Sequence, residues 1–392
     1  MSKNNHFHYV DVLLDNHRLC DRCVSRLLSK HRFHTTGASS IPPQECWLCE
    51  GISDEIEEFA KLVEDKLRGY EFSTFSVGSR VDEDIIERDE RLFREFHFLD
   101  GYDIKTWLNR EIGKKIQRDI KKRFVFENPD IVAIVDTRFN HVTLQISPLF
   151  IYGRYIKRER GIPQTKWPCR ACKGIGCRKC NYSGKQYKTS VEELIAKKIL
   201  DETEGEDESF HGCGREDIDA RMLGRGRPFV IEIKNPRRRN IDLKDLEMSI
   251  NKHAKGMVEV SNLRFSNKGE VRRLKSATFP KVYQAKIVAP VDIPEEKLKE
   301  VVQSLQDVTI KQKTPLRVTH RRADKIREKR IYNCKIIYVK GKEALIEIRA
   351  ESGTYIKEFV SGDNGRTKPS ISDMLGVACK VMELDVVAVE GE

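Results

Sequence analysis

The sequence lacks a long hydrophobic run. No apolar segment approaches the roughly 20 residues that a membrane-spanning helix needs. The start of the chain, MSKNNHFHYV, is polar and lacks the apolar core of a signal peptide. These absences argue against a membrane protein and against a secreted one, and they predict a cytoplasmic protein.

Acidic residues are the minority among the charged ones. The 392-residue chain has 72 Lys and Arg against 61 Asp and Glu, a net charge of +11 and a pI near 9.0. Clustered basic side chains gain affinity for nucleic acids by releasing counterions from phosphates, although charge alone does not establish such a partner. A hydrophobic content of 39% supports packed cores, and the length suits two or three domains.

Cysteine is concentrated in four C-x-x-C pairs, which hold eight of the eleven cysteines. In a reducing compartment such pairs predict metal ligands rather than disulfides. Two pairs separated by 22 residues form a first quartet, Cys20, Cys23, Cys46 and Cys49. A compact second quartet lies in PCRACKGIGCRKCNYSG and consists of Cys169, Cys172, Cys177 and Cys180. Each quartet can supply the four thiolates of a tetrahedral zinc site.

Both zinc sites are predicted to be structural. A thioredoxin-like redox site would need a βαβ pattern around the pair, and neither quartet has one. Four thiolates leave no open position on the metal, so the chemistry must lie elsewhere. Because thiolate spacing does not select the metal, iron stays open as the alternative to zinc.

Hydrophobic periodicity predicts an α+β protein with several domains. Ser53 is expected to cap a helix that begins the part after the first quartet. A second amphipathic helix is expected over 104–120. The apolar runs IVAIVD, from Ile131, and HVTLQIS, from His141, predict a hairpin.

The C-terminal half alternates strand-like and helix-like stretches. Ser190 and Glu193 have the spacing of a capping box and predict the helix that opens this half. From Phe229 onward the alternation predicts a large mixed sheet with helices on one face.

The segment GREDIDARMLGRGRPFVIEI, Gly214 to Ile233, places acidic residues in a glycine-flanked turn ahead of an apolar run. A turn held by a rigid strand is suited to presenting a reactive carboxylate, for which Asp217 and Asp219 are the candidates. The competing interpretation is that both carboxylates only accept hydrogen bonds from backbone donors of the turn.

The middle of the chain resembles a THUMP domain, an RNA-binding module of several tRNA-modifying enzymes. The resemblance rests on the strand pair after NPD, 128–130, and on the GRYIK segment, 153–157. GRYIK lies in LFIYGRYIKRERGIPQTKWPC, which is interpreted as a basic connector to the second quartet. The glycine-rich cofactor loop of THUMP-type methyltransferases and the pyrophosphatase loop of thiouridine synthetases are both missing from the sequence.

Three motifs resemble those of pseudouridine synthases, in the same chain order. GRED, ending at Asp217, is similar to the GR-x-D that carries the catalytic aspartate, KVYQAKI contains the aromatic Tyr283, and GTYIK contains Lys357. Together with the cysteine module, the THUMP-like region and the stretch TPLRVTHRRADKIREKR, they identify the chain as resembling archaeal-type tRNA pseudouridine synthases of the Pus-ten family.

This resemblance implies a fold, a substrate and roles for residues. It implies a zinc module at 1–51, a THUMP-like domain at 52–160 and, at 161–392, a pseudouridine-synthase domain with a large mixed, mainly antiparallel sheet. The implied substrate is tRNA, with uridines 54 and 55 of the T loop as targets. Because isomerising uridine involves no net redox change and no external group, the resemblance implies no organic cofactor, and it implies no obligate protein partner. Asp217 would be the nucleophile, Lys357 would hold it ionised, and Tyr283 would stack on the flipped uracil and assist a proton transfer. The implied substrate-binding residues are Tyr283, Tyr355, Arg215, Arg321 and Arg322.

Several alternatives stay open. The architecture also suits a non-catalytic tRNA-binding or RNA-chaperoning protein. A THUMP-type methyltransferase is a third possibility, and it predicts binding of S-adenosylmethionine. Asp219 is the rival to Asp217, and the nucleophile could bond to the sugar or to the base. Two basic clusters, one at Lys234 and 237–239 and the other over 321–330, are candidates for tracking phosphates. For the second cluster, which also contains Asp324 and Glu328, the alternative interpretation is a solvated loop without a partner.

Overall fold

The computed structural model describes residues 13–28, 41–96 and 101–391. These residues form two compact units. One ends at Pro148 and takes in the later segment Lys234–Asn240, and the other comprises Leu149–Ile233 and the chain from Ile241 onward. Within the described ranges, no helix is both long enough and apolar enough to cross a membrane.

In the described residues, the first unit packs helices against a four-stranded sheet. Its helices are α1 (Asp21–Leu27), α2 (Ile56–Leu67), α3 (Glu83–Phe96) and α4 (Ile104–Ile120), and its strands are β1 (Thr74–Arg80), β2 (Arg123–Phe124), β3 (Ile131–Asp136) and β4 (His141–Ile146). The sheet order is β2-β1-β3-β4. Strand β1 runs parallel to both neighbours, and β3 and β4 form the antiparallel hairpin that the sequence predicts.

Helix α4 confirms the predicted helix over 104–120. The Asp103 side chain caps it by accepting a hydrogen bond from the Thr106 N–H at 2.9 Å. Its buried stripe consists of Ile104, Leu108, Ile112 and Ile116. This four-residue spacing keeps one face of the helix on the core.

The prediction that Ser53 caps α2 is wrong. The helix begins at Ile56, and its N-cap residue, Glu55, makes no side-chain cap. Ser53 is instead fully buried, with its hydroxyl 3.2 Å from Cys49 Sγ and 3.6 Å from Cys20 Sγ. The hydroxyl therefore belongs to the cysteine quartet rather than to the helix end.

The second unit is built on a ten-stranded sheet. Its strands are β5 (Leu149–Lys157), β6 (Asp207–Gly212), β7 (Arg221–Lys234), β8 (Val258–Phe265), β9 (Lys281–Val288), β10 (Val308–Lys313), β11 (Ile326–Lys340), β12 (Glu343–Ala350), β13 (Thr367–Lys368) and β14 (Lys380–Val389). The order is β13-β10-β11-β12-β9-β14-β7-β5-β8, and β6 pairs with β7. The β7–β14 pair is parallel and β9 lies antiparallel between β12 and β14. The predicted large, mainly antiparallel mixed sheet is confirmed.

Six α-helices accompany this sheet in the described residues. They are α5 (Val191–Thr203), α6 (Leu243–His253), α7 (Lys268–Ser276), α8 (Glu295–Ser304), α9 (Ile356–Ser361) and α10 (Ile371–Leu375). The predicted capping box of α5 is present, because Ser190 Oγ accepts from the Glu193 N–H at 3.2 Å. One 3-10 helix, Leu316–Arg321, lies between β10 and β11.

The segment interpreted as a basic connector is strand β5. It pairs with β7 on one side and β8 on the other, so GRYIK belongs to the large sheet. Arg154 and Lys157 are buried in this strand. Their charges are satisfied by carbonyl oxygens, since Arg154 donates to Arg225 O at 2.7 Å and Lys157 to Ile162 O at 2.8 Å. The connector interpretation is therefore wrong for 149–157, where the cations are buried, whereas 158–168 leads from β5 to the second quartet.

Candidate active site

A cavity of about 630 Å³ in the second unit collects most of the predicted site residues. Its volume is in the range of small-ligand sites. Four segments supply its lining: the loop between β6 and β7, the start of β9, the 3-10 helix Leu316–Arg321, and the turn that leads into α9. The predicted residues in the lining are Arg215, Asp217, Tyr283, Arg322, Tyr355 and Lys357.

Glu216 anchors the loop that carries Asp217. Its carboxylate is buried and accepts hydrogen bonds from the Tyr155 hydroxyl and from Arg227 Nε, both at 2.9 Å. Lys157 Nζ lies 3.7 Å from the same carboxylate. Because Glu216 is tied into the core by these groups, the next residue is presented outward, and the Asp217 side chain is 35% exposed.

Two cations hold the backbone on the far side of Asp217. Lys157 Nζ donates to the carbonyl oxygens of Asp217 and Ile218 at 3.3 and 3.2 Å. Arg160 donates to Asp219 O at 2.9 Å and also to Leu384 O on β14 at 2.8 Å. Burial lowers the pKa of Lys157, with the Glu216 carboxylate acting in the opposite direction. The loop is therefore fixed to β5 and β14 by its own carbonyls.

Asp217 forms ion pairs with two cations. Arg317 contacts its two carboxylate oxygens at 3.2 and 3.4 Å, and Lys357 Nζ lies 3.4 Å away. Each cation has a second acidic partner. Arg317 donates to Glu358 at 2.6 Å, and Lys357 donates to both oxygens of Asp219 at 2.8 and 2.7 Å. Asp217 thus lies at the centre of a chain of alternating charges.

Asp219 is the main partner of Lys357. Partial burial opposes ionisation of Asp219, but the Lys357 hydrogen bond and charge outweigh it, and the pKa of Asp219 is lowered. This carboxylate lies in an adjoining cavity of about 270 Å³, which Asp217 and Lys357 also line. The sequence-based expectation assigns Lys357 to Asp217 alone. The geometry shows that Lys357 is shared and that it lies closer to Asp219.

Tyr283 lies on the cavity side of β9. The burial of this strand alternates, so Lys281, Tyr283, Ala285 and Ile287 all face inward. Burial raises the pKa of Tyr283 to about 12, with the Asp217 charge adding to the rise and Arg227 opposing it. The phenol therefore keeps its proton throughout the neutral pH range.

Lys281 adds a buried cation to the cavity wall. Its Nζ donates to Ser352 Oγ at 2.7 Å. Burial, reinforced by the Arg227 charge, lowers the pKa of Lys281 to about 8. Apolar side chains complete the lining, with Ile356 from α9 and Leu384 and Val386 from β14.

Tyr355 lies between two arginines of the segment after β10. Arg322 donates to its hydroxyl at 2.8 Å, and the Arg317 guanidinium lies 6.0 Å from the ring centroid. Arg215 is exposed at the cavity. Arg321 lies in the 3-10 helix, but its side chain is outside the described part of the chain.

Both cysteine quartets have the geometry of a metal site. In each, the four Sγ atoms lie within 4.8 Å of one another. The Sγ–Sγ distances of 3.8 Å for Cys20–Cys49, 3.9 Å for Cys172–Cys180 and 3.8 Å for Cys177–Cys180 are far too long for disulfides. They match the edge of about 3.8 Å of a tetrahedron with Zn–S bonds of about 2.3 Å.

Backbone amides support the thiolates of the second quartet. The N–H groups of Cys177 and Gly184 donate to Cys180 Sγ at 3.2 and 3.3 Å, and Gly176 N–H donates to Cys172 Sγ at 3.2 Å. These donors favour the charged sulfur and, led by the Cys177 amide, lower the pKa of Cys180 to about 6. Both quartets therefore suit a zinc ion held by four thiolates, a role that stiffens its module.

Family models match the chain in both units. The model described as "Pus10, C-terminal" matches residues 150–390, and the model described as "Pus10 THUMP domain, archaeal" matches residues 59–136. The chain belongs to the Pus10 family.

Individual members of the Pus10 family are similar over most of their length. The tRNA pseudouridine synthase Pus10 of Methanothrix thermoacetophila is 44% identical over 350 residues, covering 89% of this chain and 77% of that one. The enzyme of the same name from Halorubrum lacusprofundi is 40% identical over 401 residues, covering 95% and 94%. That of Archaeoglobus fulgidus is 44% identical over 351 residues, covering 89% and 96%.

Solved structures give a weaker likeness. A crystal structure of a Cbf5-Nop10-Gar1 complex matches with a TM-score of 0.35 and 16% identity, over 61% of this chain and 48% of that one. A likeness of this degree carries no argument about the chain. Membership of the Pus10 family rests on the family models and on the sequence relatives.

Arg317 is the site residue that the sequence motifs miss. It lies in the stretch TPLRVTHRRADKIREKR, but only the basic residues further along this stretch, over 321–330, form the predicted phosphate-binding cluster. Much of that cluster is occupied, since Lys329 pairs with Glu351 and Arg330 with Asp307, both at 2.6 Å. One feature of the sequence does distinguish Arg317. It lies apart from Asp324 and Glu328, the acidic residues of the stretch, so its partner must come from elsewhere in the chain.

The other basic cluster has a structural role in the first unit. Arg239 pairs with Asp130 at 3.7 Å and donates to the Ser147 carbonyl, and the Arg237 guanidinium lies 5.3 Å from the Tyr70 ring centroid. Burial lowers the pKa of Arg239. Arg239 is therefore not the predicted phosphate contact. It joins its own segment to the segments that contain Asp130 and Ser147.

Proposed function

We propose that this member of the Pus10 family isomerises uridines 54 and 55 in the T loop of tRNA, with Asp217 as the nucleophile. The observation that carries the proposal is the convergence of Asp217, Tyr283 and Lys357 on one cavity. The motifs that carry these residues are far apart in the sequence. A protein that only binds RNA has no need to fix a carboxylate between two cations beside a buried phenol.

The isomerisation balances within the nucleotide. The bond between N1 of uracil and C1′ of ribose breaks, the freed base turns in place, and a bond forms between C5 and C1′. C5 loses a proton and N1 gains one, so the reaction consumes no oxidant and transfers no external group. Asp217 forms a transient covalent bond with the sugar or the base and is regenerated when the product leaves.

Each residue around Asp217 has a separate role in this reaction. Arg317 and Lys357 orient its carboxylate, and Glu358 and Asp219 in turn fix the two cations. Tyr283 provides a ring on which the extruded uracil stacks, and its retained proton suits a donor role. Arg215, Arg322 and Tyr355 lie where they can contact the nucleotides that flank the target.

Mapping of the modified positions tests the proposal. An unmodified tRNA transcript is incubated with the protein, treated with a carbodiimide that marks pseudouridine, and read by primer extension. We expect stops that report pseudouridine at positions 54 and 55, and each stop should vanish when that uridine is changed to cytidine. Modification outside the T loop would overturn the substrate assignment. Tight tRNA binding without any modification would favour the non-catalytic interpretation.

A further inference from the structure

The second cysteine module carries an unusual charge pattern. We define it as residues 166–188, which contain seven Lys and Arg and no Asp or Glu. Four of these cations are exposed around the quartet itself, Arg170, Lys173, Arg178 and Lys179. Four thiolates around a zinc ion leave a net charge of about −2, which seven cations exceed, so the module keeps positive charge that can attract a polyanion.

The four exposed cations around the quartet have no acidic partner, since none of them forms an ion pair with another described residue. By contrast, Lys299 pairs with Glu295 and Glu296, at 3.0 and 2.8 Å. Unpaired cations are available to a polyanion without first giving up a carboxylate partner.

The module also exposes an aromatic and an apolar side chain. Tyr182 is 71% exposed and Ile175 is 92% exposed. Tyr182 has a positive φ of 59°, an unusual conformation for a bulky residue, and its N–H is held by Cys177 O at 2.9 Å. The ring is therefore displayed on a backbone that the cysteine loop fixes.

The base of the module adjoins the candidate active site. Trp167 lines the adjoining cavity together with Asp217, Asp219 and Lys357. Its ring packs edge-on against Tyr187 at 5.8 Å, and the bridge between Pro168 and Lys185 closes the module just beyond. A long substrate held at Asp217 therefore extends close to this module.

We propose that the second cysteine module is a docking surface for tRNA. Its exposed cations contact phosphates, and Tyr182 stacks on an unpaired base. RNA-binding proteins hold single-stranded loops by this combination of backbone charge and aromatic stacking. Only the identity of the RNA, tRNA, depends on the proposed function.

A matched pair of double variants tests the phosphate contacts. R178Q/K179Q removes two charges from the module, and K297Q/K299Q removes two from α8, where Lys299 pairs with Glu295 and Glu296. Affinity for a full-length tRNA transcript is measured at several KCl concentrations. We expect the module variant to bind more weakly and to lower the slope of log affinity against log salt by about 1 to 2. The α8 variant should match the native protein.

Tyr182 variants test the stacking contact. Tyr182→Ala should weaken tRNA binding about 5- to 100-fold, and Tyr182→Phe should retain the native affinity because the ring remains. Native affinity and salt slope in both R178Q/K179Q and Tyr182→Ala would overturn the proposal. Metal content per chain, measured by mass spectrometry, checks that the module is intact in each variant. Because these readouts are binding constants, they stay valid whether or not the protein forms pseudouridine.

Discussion

Replacing Arg317 by glutamine isolates the role of the second cation beside Asp217. Arg317→Gln removes contacts of 3.2 and 3.4 Å to the two oxygens of Asp217 and leaves the Lys357 contact at 3.4 Å in place. It also removes the 2.6 Å contact to Glu358, whose side chain is only 7% exposed. The variant should therefore lose both catalytic rate and some stability.

The size of the rate effect follows from the geometry. Two unit charges 3.2 Å apart attract by about 5 kcal/mol at an effective dielectric constant of about 20. The Arg317 and Asp217 side chains are 37% and 35% exposed, so water screens much of this attraction. With Lys357 still present, we expect a net loss of about 1 to 2 kcal/mol, which corresponds to a rate about 5- to 30-fold lower.

Single-turnover assays measure this effect without product release. The substrate is tRNA that carries 5-tritiated uridine, because C5 releases its hydrogen when it bonds to the sugar. Arg330→Gln is the matched control, since it removes the same charge from an exposed pair with Asp307 that does not line the cavity. Thermal melting should also fall for Arg317→Gln, because the buried Glu358 loses its partner. A native single-turnover rate for Arg317→Gln would refute the assignment of Arg317 to the site.

Three further predictions concern the phenol, the buried lysine and the metals. Tyr283→Phe should lower the single-turnover rate by about 100-fold or more while tRNA affinity is retained, and a native rate would remove the hydroxyl from the mechanism. Burial lowers the pKa of Lys281 from 10.5 to about 8, so between pH 8 and pH 10.5 Lys281 is protonated in the unfolded state but largely neutral in the folded state. The free energy of unfolding of the native protein minus that of Lys281→Met should therefore rise by up to about 3 kcal/mol between pH 8 and pH 10.5, and a flat difference would contradict the burial argument. Mass spectrometry should find two zinc ions per chain, one of them lost in Cys23→Ser and the other in Cys180→Ser. A chelator should extract the second site first, because Cys172, Cys177 and Cys180 are partly exposed whereas the first quartet is buried. Iron in place of zinc would contradict the assignment.

Features that depend on local pattern are predictable from this sequence. The bounds of α4 follow from the spacing of Ile104, Leu108 and Ile112, and the hairpin of β3 and β4 follows from two apolar runs joined by a short turn. The cysteine quartets follow from ligand spacing, because the C-x-x-C arrangement brings a pair of thiolates onto one ion. In each case one short segment contains the whole signal.

Features that depend on distant partners are not predictable in the same way. Strand β5 contains buried Arg154 and Lys157, and their carbonyl partners become visible only when β5 lies beside β7. Arg317 reaches Asp217 across 100 positions of sequence. The sharing of Lys357 with Asp219 likewise depends on side-chain geometry at a turn, which motif order does not specify.

The division of the first 160 residues between a zinc module at 1–51 and a THUMP-like domain at 52–160 remains a prediction. The THUMP family model matches residues 59–136, and the large sheet begins at Leu149.

Tritium release by the native protein, Asp217→Asn and Asp219→Asn tests the central claim most directly. Both substitutions remove one negative charge from the same turn, and each leaves a side chain of similar size. The account predicts release by the native protein, no release by Asp217→Asn, and reduced but measurable release by Asp219→Asn, which only loosens Lys357. Release at the native rate by Asp217→Asn, with none by Asp219→Asn, would contradict the account and move the nucleophile to Asp219.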